Sequence, residues 1–508
     1  MHFVSSTNDL REYLDLAGAK NINFSNISTD TRSISKDALF IAIKGPNFDG
    51  NKFIDQAFDN GAVAVLTSDT QYKKNINPAC IYVPSVKEAL IQIATRICDE
   101  FKGKKILITG SNGKTTCTFL LSHSLPNCSS TIGNFNNEIG LPLSVMQAKR
   151  DCEYLVLEAG AGKPGDIAIL SEIVKPHLGL ITSISESHTE FLGDINGVRK
   201  EKLSMLKFIK DNGYFVIDDP SWWIEDYAHL KESLERRGII DINFTEIDQY
   251  LSKEDLDKKL KNQKHREQCG VNLDNREHPP KRIAAYVDYS DDHSIMEFEY
   301  YALDLNGEIH YSFNAYKSYL IGEHNIKNIL LVAECLRIFE KNKEFSRKLE
   351  ALLISDKVKL LNRLEHSSWI DGAHLINDSY NANPASVKAA VELLTSTLVT
   401  PSSAIKTNFR RRILILGNML ELKNPIESHV EIGKFINAGH IDVLITFGDL
   451  ASIVAKTVKE GDVKGIECYS FESETEEDKL KIFLNDFIQK DDIVLLKGSR
   501  GMRMERFI

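Results

Sequence analysis

Short uninterrupted apolar runs, separated by stretches long enough for a helix, recur along this chain. In its middle third, Ile106–Thr109, Tyr154–Glu158, Leu178–Ile184 and Tyr214–Ile217 are apolar at most positions. Strands apolar at successive positions are covered on both faces, and the intervening segments supply the covering helices. The pattern predicts an α/β fold whose central sheet is mostly parallel. Ahead of it, runs at Leu39–Ile43, Val63–Thr67 and Ile81–Val83 alternate with helical patterns at Phe53–Asn60 and Val86–Phe101, as in a small α/β domain. Behind it, Ala284–Asp288 and Ser294–Leu303 read as strands and Asn325–Lys341 as a helix. Strands at Arg412–Leu416, Val443–Thr446 and Ile493–Leu496 then predict a C-terminal, Rossmann-like α/β unit. The expected domains are residues 1–102, 103–352 and 353–508, and no internal repeat is visible.

One stretch breaks the pattern. Residues 251–282 carry 15 charges in 32 positions with little apolar periodicity, which predicts a solvated insertion rather than a packed element. Elsewhere 42% of the 508 residues are apolar, ample for ordinary cores. The net charge of −10, with no basic block longer than Arg410–Arg412, argues against nucleic acid and for small-molecule partners. No window approaches the roughly 18 apolar residues of a membrane span, and the N-terminus has no cationic segment followed by an apolar run. A cytoplasmic protein is expected, as a monomer. The eight cysteines are scattered without a Cys-x-x-Cys pair, which fits reduced thiols rather than disulfides or a zinc site.

The chemistry begins at Lys105–Thr118, "KILITGSNGKTTCT", an apolar strand, a turn with two glycines, and Lys-Thr-Thr entering a helix. Glycines let backbone N–H groups face an anion, and the helix N-terminus adds its dipole. Gly110, Ser111, Asn112, Gly113, Lys114, Thr115 and Thr116 thus form a candidate phosphate cradle, Lys114 reaching the β/γ-phosphates and Thr115 supplying a hydroxyl to Mg²⁺. Only Ser111 and Asn112 separate the glycines, so the loop is a shortened variant. A plain glycine turn would explain Gly110 and Gly113 but not the adjacent Lys-Thr-Thr.

Open α/β sheets bind ligands beyond the carboxyl ends of their strands. Glu158 closes one apolar run and His188 follows another, so together with Thr115 they form a candidate Mg²⁺ shell. Glu158 as an ordinary surface acid is the bland alternative. Asn134, Asn136 and Asn137, in "TIGNFNNEIGLP", either contact a polar ligand or belong to an unremarkable surface loop.

"TGSNGKTT", "GNFNNEIGLP", "LEAGAGKPGDI", "SHTEFLGDINGVRKEK", "GEHNIKN", "NDSYNANPAS" and "KGSR" occur in the order and spacing of the Mur ligases, so nearly the whole chain resembles that family. The resemblance is strongest to the branch that joins D-alanyl-D-alanine to UDP-N-acetylmuramoyl-tripeptide in peptidoglycan precursor synthesis. It implies ATP-dependent amide formation: a carboxylate attacks the γ-phosphate, and an amine displaces phosphate from the acyl phosphate. It further implies that Lys114, His188 and Lys202 carry the chemistry, with Lys202 carbamylated by CO₂ and joining His188 at a second Mg²⁺. Composition and spacing do not reveal that modification; a lysine on an amphipathic helix is ordinarily a solvated residue. Asn325 and Asn328 match adenine-contacting positions, although an Asn at a helix start is often a cap. Arg363 and Asp378 match groups that reach the nucleotide when the third domain closes. Tyr380, Asn381 and Asn383 match the D-alanyl-D-alanine branch, with an Asn-Pro turn as the alternative. Lys497, Ser499 and Arg500 match substrate contacts, Arg500 equally a surface ion-pair partner. Asp30, Thr31, Arg32, Asp49 and Gly50 fall in a segment resembling the family's UDP-binding domain.

The chain departs from the family at Asn418, where Asp is usual, and at Asn51, where His is usual. A sister ligase adding the third amino acid would carry a "DNPR" segment, which is not present. A regulatory protein retaining only the phosphate loop would have lost the metal ligands, yet Glu158, His188 and Lys202 all remain.

Overall fold

The computed structural model describes residues 2–18, 20–46, 48–74, 77–217, 228–243, 247–250, 282–289, 296–303, 309–320, 322–339, 344–358, 365–396, 410–438, 441–461 and 465–508. Residues 251–281 of the charged stretch, and Arg363, lie outside them.

The N-terminal sheet is parallel, with strands β1 (Asn26–Ser28), β2 (Ala38–Ile41), β3 (Ala62–Thr67) and β4 (Cys80–Tyr82) in that order. The central sheet comprises β5 (Lys104–Thr109), β6 (Cys128–Ser130), β7 (Tyr154–Glu158), β8 (Leu178–Ile181), β9 (Tyr214–Ile217) and β10 (Ile240–Asn243). Its order is β10-β9-β8-β5-β7-β6, every pair parallel. Alternation along the strands feeds two cores. Leu107, Leu155, Leu157, Ile181 and Phe215 pack toward helix Val86–Glu100 and helix Asp166–Val174. Ile106, Ile108, Val156, Leu180 and Val216 pack toward helices Lys114–Ser124, Glu323–Phe339 and Glu344–Leu353. The first core runs on from Leu39, Leu66 and Ile81 of the N-terminal sheet, and Phe3 N donates to Ala148 O at 3.0 Å, so the N-terminal unit is welded to the central one.

A sheet not anticipated as separate follows: β11 (Ile247–Tyr250), β12 (Arg282–Tyr289), β13 (Met296–Leu303) and β14 (Ile309–Ser318), antiparallel apart from its first pair. The C-terminal sheet holds β15 (Glu365–Ser368), β16 (His374–Asp378), β17 (Arg412–Gly417), β18 (Val443–Phe447), β19 (Glu467–Phe471) and β20 (Ile493–Lys497), ordered β15-β16-β20-β17-β18-β19. Only the β15 pair is antiparallel, in keeping with a doubly covered, Rossmann-like sheet. Leu393, on helix Pro384–Ser396, enters the core of the central unit. The helix expected from Asn325 begins two residues earlier, at Glu323. Among the described residues, no helix is long and apolar enough to cross a membrane, and seven cysteines are free.

Candidate functional site

The central sheet reverses its order around β5, and the loops beyond the carboxyl ends of β5, β7 and β8 converge there. After Thr109 the chain turns at Gly110 (φ 151°) and Gly113 (φ 85°), and helix Lys114–Ser124 starts at once. A Cβ on Gly110 would run into Thr182 Oγ1, and one on Gly113 into Asn328 Oδ1, so both positions need glycine for conformation and for space. The loop is held from behind by the segment after β8. Ser111 N donates to Ser183 O at 2.9 Å, Asn112 N to Ser183 Oγ at 2.9 Å, and Ser111 Oγ to Ser185 O at 2.8 Å. Lys114 Nζ lies across the loop, donating to Gly110 O at 2.6 Å.

The loop forms one wall of a cleft of about 640 Å³. Glu158 and His188 line the cleft, and Thr115 Oγ1 donates to Glu158 Oε2 at 3.3 Å. This hydroxyl and carboxylate suit a hard cation that takes its remaining oxygens from phosphates, as Mg²⁺ does. Among the described residues there is no cluster of three or more His, Cys, Asp or Glu. Asn134, Asn136 and Asn137 line the cleft too, and Asn137 Oδ1 also caps helix Gly140–Met146 through Gly140 N at 2.8 Å.

The opposite wall comes from the C-terminal unit. Tyr380, Asn381, Ser499 and Arg500 line it, with the Arg500 guanidinium 5.8 Å from the Tyr380 ring centroid. Arg500 also pairs with Glu505 at 2.7 Å, so the ion-pair alternative holds alongside its place in the cleft. Three contacts close the two walls together. His188 Nδ1 meets Glu421 Oε2 at 2.6 Å, Lys423 N donates to Thr189 Oγ1 at 3.1 Å, and Asn383 Nδ2 donates to Asn112 Oδ1 at 2.9 Å. The His188 imidazole holds the Glu421 carboxyl below the usual glutamate range. Asn383 does not line the cleft; its Oδ1 accepts from Ser386 N at 2.9 Å and caps the following helix.

A second cavity, of about 240 Å³, opens behind the loop. Thr116, Asn325 and Asn328 line it with Leu320, Ala385 and Ala389, and Asn112 and Asn381 add two further amides to a slot of mixed apolar and polar side chains. Asn328 Nδ2 donates to Asn325 Oδ1 at 3.2 Å. Since the helix starts at Glu323, Asn325 is not its cap. Asp378 and Lys497 meet at its edge, Nζ to Oδ2 at 2.5 Å, so the two expected contact residues satisfy one another. Burial pushes the His324 imidazole beside them down to about 4.

Lys202 is 2% exposed and buried behind the cleft rather than lining it. Burial first, and the Lys114 cation second, push its amine well below the ordinary lysine range. The five N-terminal candidates sit apart from the cleft. Asp30 caps the turn Thr31–Ser33 and pairs with Arg32, whose hydrogen bonds lower its carboxyl to about 2. Thr31 Oγ1 reaches Gln56 Oε1 at 3.3 Å. Asp49 caps the turn Gly50–Phe53, and a Cβ on Gly50 would strike Ile43 O. Asn51 answers both sides at once, donating to Asp49 Oδ1 at 2.7 Å and accepting from Thr67 Oγ1 at 2.8 Å.

Comparison with known proteins agrees with this geometry. Residues 23–98 match the Mur ligase family catalytic domain, 108–336 the Mur ligase middle domain, and 362–500 the domain described as Mur ligase, glutamate ligase domain. A Bacillus subtilis protein, UDP-N-acetylmuramoyl-tripeptide–D-alanyl-D-alanine ligase, is 30% identical over 487 residues, covering 95% of this chain and 92% of its own length. The chain belongs to the Mur ligase family. It is therefore an ATP-dependent ligase. The Escherichia coli protein of the same name is 25% identical over 97% of this chain and 95% of its own. Two solved structures share the fold. MurF from Acinetobacter baumannii has a TM-score of 0.72 at 21% identity, over 99% of this chain and 97% of its own. The MurF ligase of Thermotoga maritima, in complex with ADP, has 0.67 at 24% identity, over 95% and 96%.

The residues that sequence reasoning missed are Glu421 and the Thr182–Ser183–Ser185 cradle. The run "TSISES" directly after an apolar strand was the available signal for the cradle. Nothing local marks Glu421.

Proposed function

We propose that this enzyme joins D-alanyl-D-alanine to UDP-N-acetylmuramoyl-tripeptide at the expense of ATP, as a cytoplasmic step in peptidoglycan precursor synthesis. The observation that carries the reading is the shared cleft, in which the phosphate loop faces Tyr380, Asn381 and Arg500 across one space. The physical problem is charge: a carboxylate must meet a polyphosphate, and preorganised donors are commonly the largest catalytic term.

The 240 Å³ slot takes adenine, with Asn325 and Asn328 reading its edge, and the triphosphate lies over the amides that open helix Lys114–Ser124. Lys114 shifts from its loop carbonyl to the transferring phosphate. Thr115, Glu158 and His188 would hold Mg²⁺, which would neutralise phosphate charge. Burial lowers the Lys202 pKa and so favours the neutral amine, the form that adds to CO₂: nitrogen bonds to carbon, a proton leaves, and a carbamate anion remains. A carbamate there would offer an oxygen to a metal ion and would remove the cation that repels Lys114. The tripeptide carboxylate attacks the γ-phosphate with loss of ADP. The D-alanyl-D-alanine amine, steered by Tyr380, Asn381, Ser499 and Arg500, then displaces phosphate. Closure through Asn112–Asn383 and Thr189–Lys423 keeps water from the acyl phosphate. Asp30, Thr31, Arg32, Asp49 and Gly50 belong to the UDP end of the substrate, and the division at 1–102, 103–352 and 353–508 follows from these roles.

The test offers the enzyme ATP, Mg²⁺ and UDP-N-acetylmuramoyl-tripeptide with D-alanyl-D-alanine or single amino acids, and reads phosphate release and product mass. Dipeptide-dependent phosphate release and the pentapeptide mass are expected. Release with single amino acids only would move the enzyme to another branch of the family.

A further inference from the structure

We propose that Glu201 is a positioning residue for the reaction, clamping the helix that carries Lys202 to the loop that follows Glu158. The inference rests on the reading that Lys202 serves the chemistry.

Helix Asp166–Val174 follows Gly165, which stands at φ 93° with no side chain to cap the helix. The first amides of a helix have no partner within it, and buried ones need an acceptor from elsewhere. Glu201 provides it from another helix. Its Oε2 accepts from Gly165 N at 2.8 Å and its Oε1 from Ile167 N at 2.8 Å, across 36 and 34 residues. Both carboxylate oxygens are used, and the residue is 7% exposed. The pairing serves the N-cap amide and a first-turn amide together, the task a capping box performs within one helix. The partial positive charge at the helix N-terminus favours an anion in this place.

Glu201 lies on helix Ile195–Leu203, directly before Lys202. The clamped loop, residues 159–165, leaves β7 immediately after Glu158, and Gly160 to Lys163 form part of the cleft wall. Lys202 and Glu158 are therefore held in register through one carboxylate. Glutamine keeps a single acceptor and turns an N–H toward the second donor, while alanine strands both amides.

The experiment compares full-length Glu201→Gln, Lys202→Ala and the double variant. It reads steady-state turnover, the ¹³C carbamate resonance after equilibration with ¹³C-bicarbonate, and melting temperature. Glu201→Gln should lower kcat about tenfold, the size of one lost hydrogen bond to a charged group. Its KM for ATP should stay within about twofold, because the phosphate loop is held by residues after β8 instead. The carbamate resonance should weaken. In the Lys202→Ala background, where formate restores part of the turnover, adding Glu201→Gln should change nothing further. Wild-type kcat and carbamate signal in Glu201→Gln, with Lys202→Ala inactive, would overturn this inference alone. An equal loss in the Lys202→Ala background would also overturn it, since Glu201 would then act without Lys202. A Lys202→Ala enzyme with normal turnover would overturn both this inference and the reading beneath it.

Discussion

Replacing Gly113 with alanine puts a Cβ where the structure has no room for one. Gly113 holds φ 85° and ψ −13°, a left-handed backbone that costs a non-glycine residue about 1–2 kcal/mol. The new methyl would also fall on Asn328 Oδ1, so the Asn328 amide must turn away and give up its bond to Asn325, worth about 1 kcal/mol. Together they predict a loss of about 2–3 kcal/mol of stability. If the slot that Asn328 lines takes adenine as proposed, nucleotide affinity should fall about tenfold, equivalent to about 1.4 kcal/mol. Gly133 supplies the control: it has φ 53°, but an added Cβ there meets nothing within 4 Å. Gly133→Ala should thus show the backbone cost without the steric one. Urea unfolding and calorimetric ADP titration of both variants measure the two components. Normal ADP affinity in Gly113→Ala, with a stability loss no larger than in Gly133→Ala, would refute the account of the loop and the slot.

Lys114→Ala should leave the fold intact and lower turnover by at least about 10²-fold, as when one preorganised electrostatic partner is removed; near-normal turnover would reject the phosphate-loop assignment. Asn418 donates to Asp449 Oδ1 and accepts from Ala451 N, each at 2.8 Å, so Asn418→Asp would set two carboxylates against each other. The cost should be about 1–2 kcal/mol, limited by the exposure of Asp449, and should grow with pH because the folded state then holds a proton the unfolded chain releases. Asn418→Asp/Asp449→Asn should recover it, and a penalty independent of pH would contradict the pairing. His177 accepts from Lys105 N at 3.0 Å, and burial, with nearby lysines, lowers its imidazole to about 4. Since the unfolded chain takes the proton first, this stability is present above about pH 6.5 and fades toward pH 4, by about 1–2 kcal/mol after allowing for partial exposure. Melting of His177→Asn across that range should show a shallower acid slope than the parent protein, and parallel slopes would count against it.

What the sequence disclosed follows the range of the interactions. The phosphate loop was legible because strand, glycines, lysine and helix are neighbours in the chain, and the buried parallel strands because each is apolar throughout. Strand β14, "IHYSFNAYKS", mixes polar and apolar residues at period two and was passed over beside those runs. Lys202 looked like a surface lysine because its burial is created by elements distant in sequence. Glu201 and Glu421 were invisible for the same reason, their partners being a loop and an imidazole brought to them only by the fold. Asn418 read as a lost carboxylate, whereas the structure shows an amide matched to the carboxylate of Asp449.

The central claim is that a peptide carboxylate attacks ATP in this cleft before any amide forms. Labelling both oxygens of the tripeptide's reacting carboxylate with ¹⁸O tests it directly. One labelled oxygen should leave in inorganic phosphate and the other should remain in the new amide, and mass spectrometry of both products reads the transfer. Amide formation with unlabelled phosphate would contradict the account.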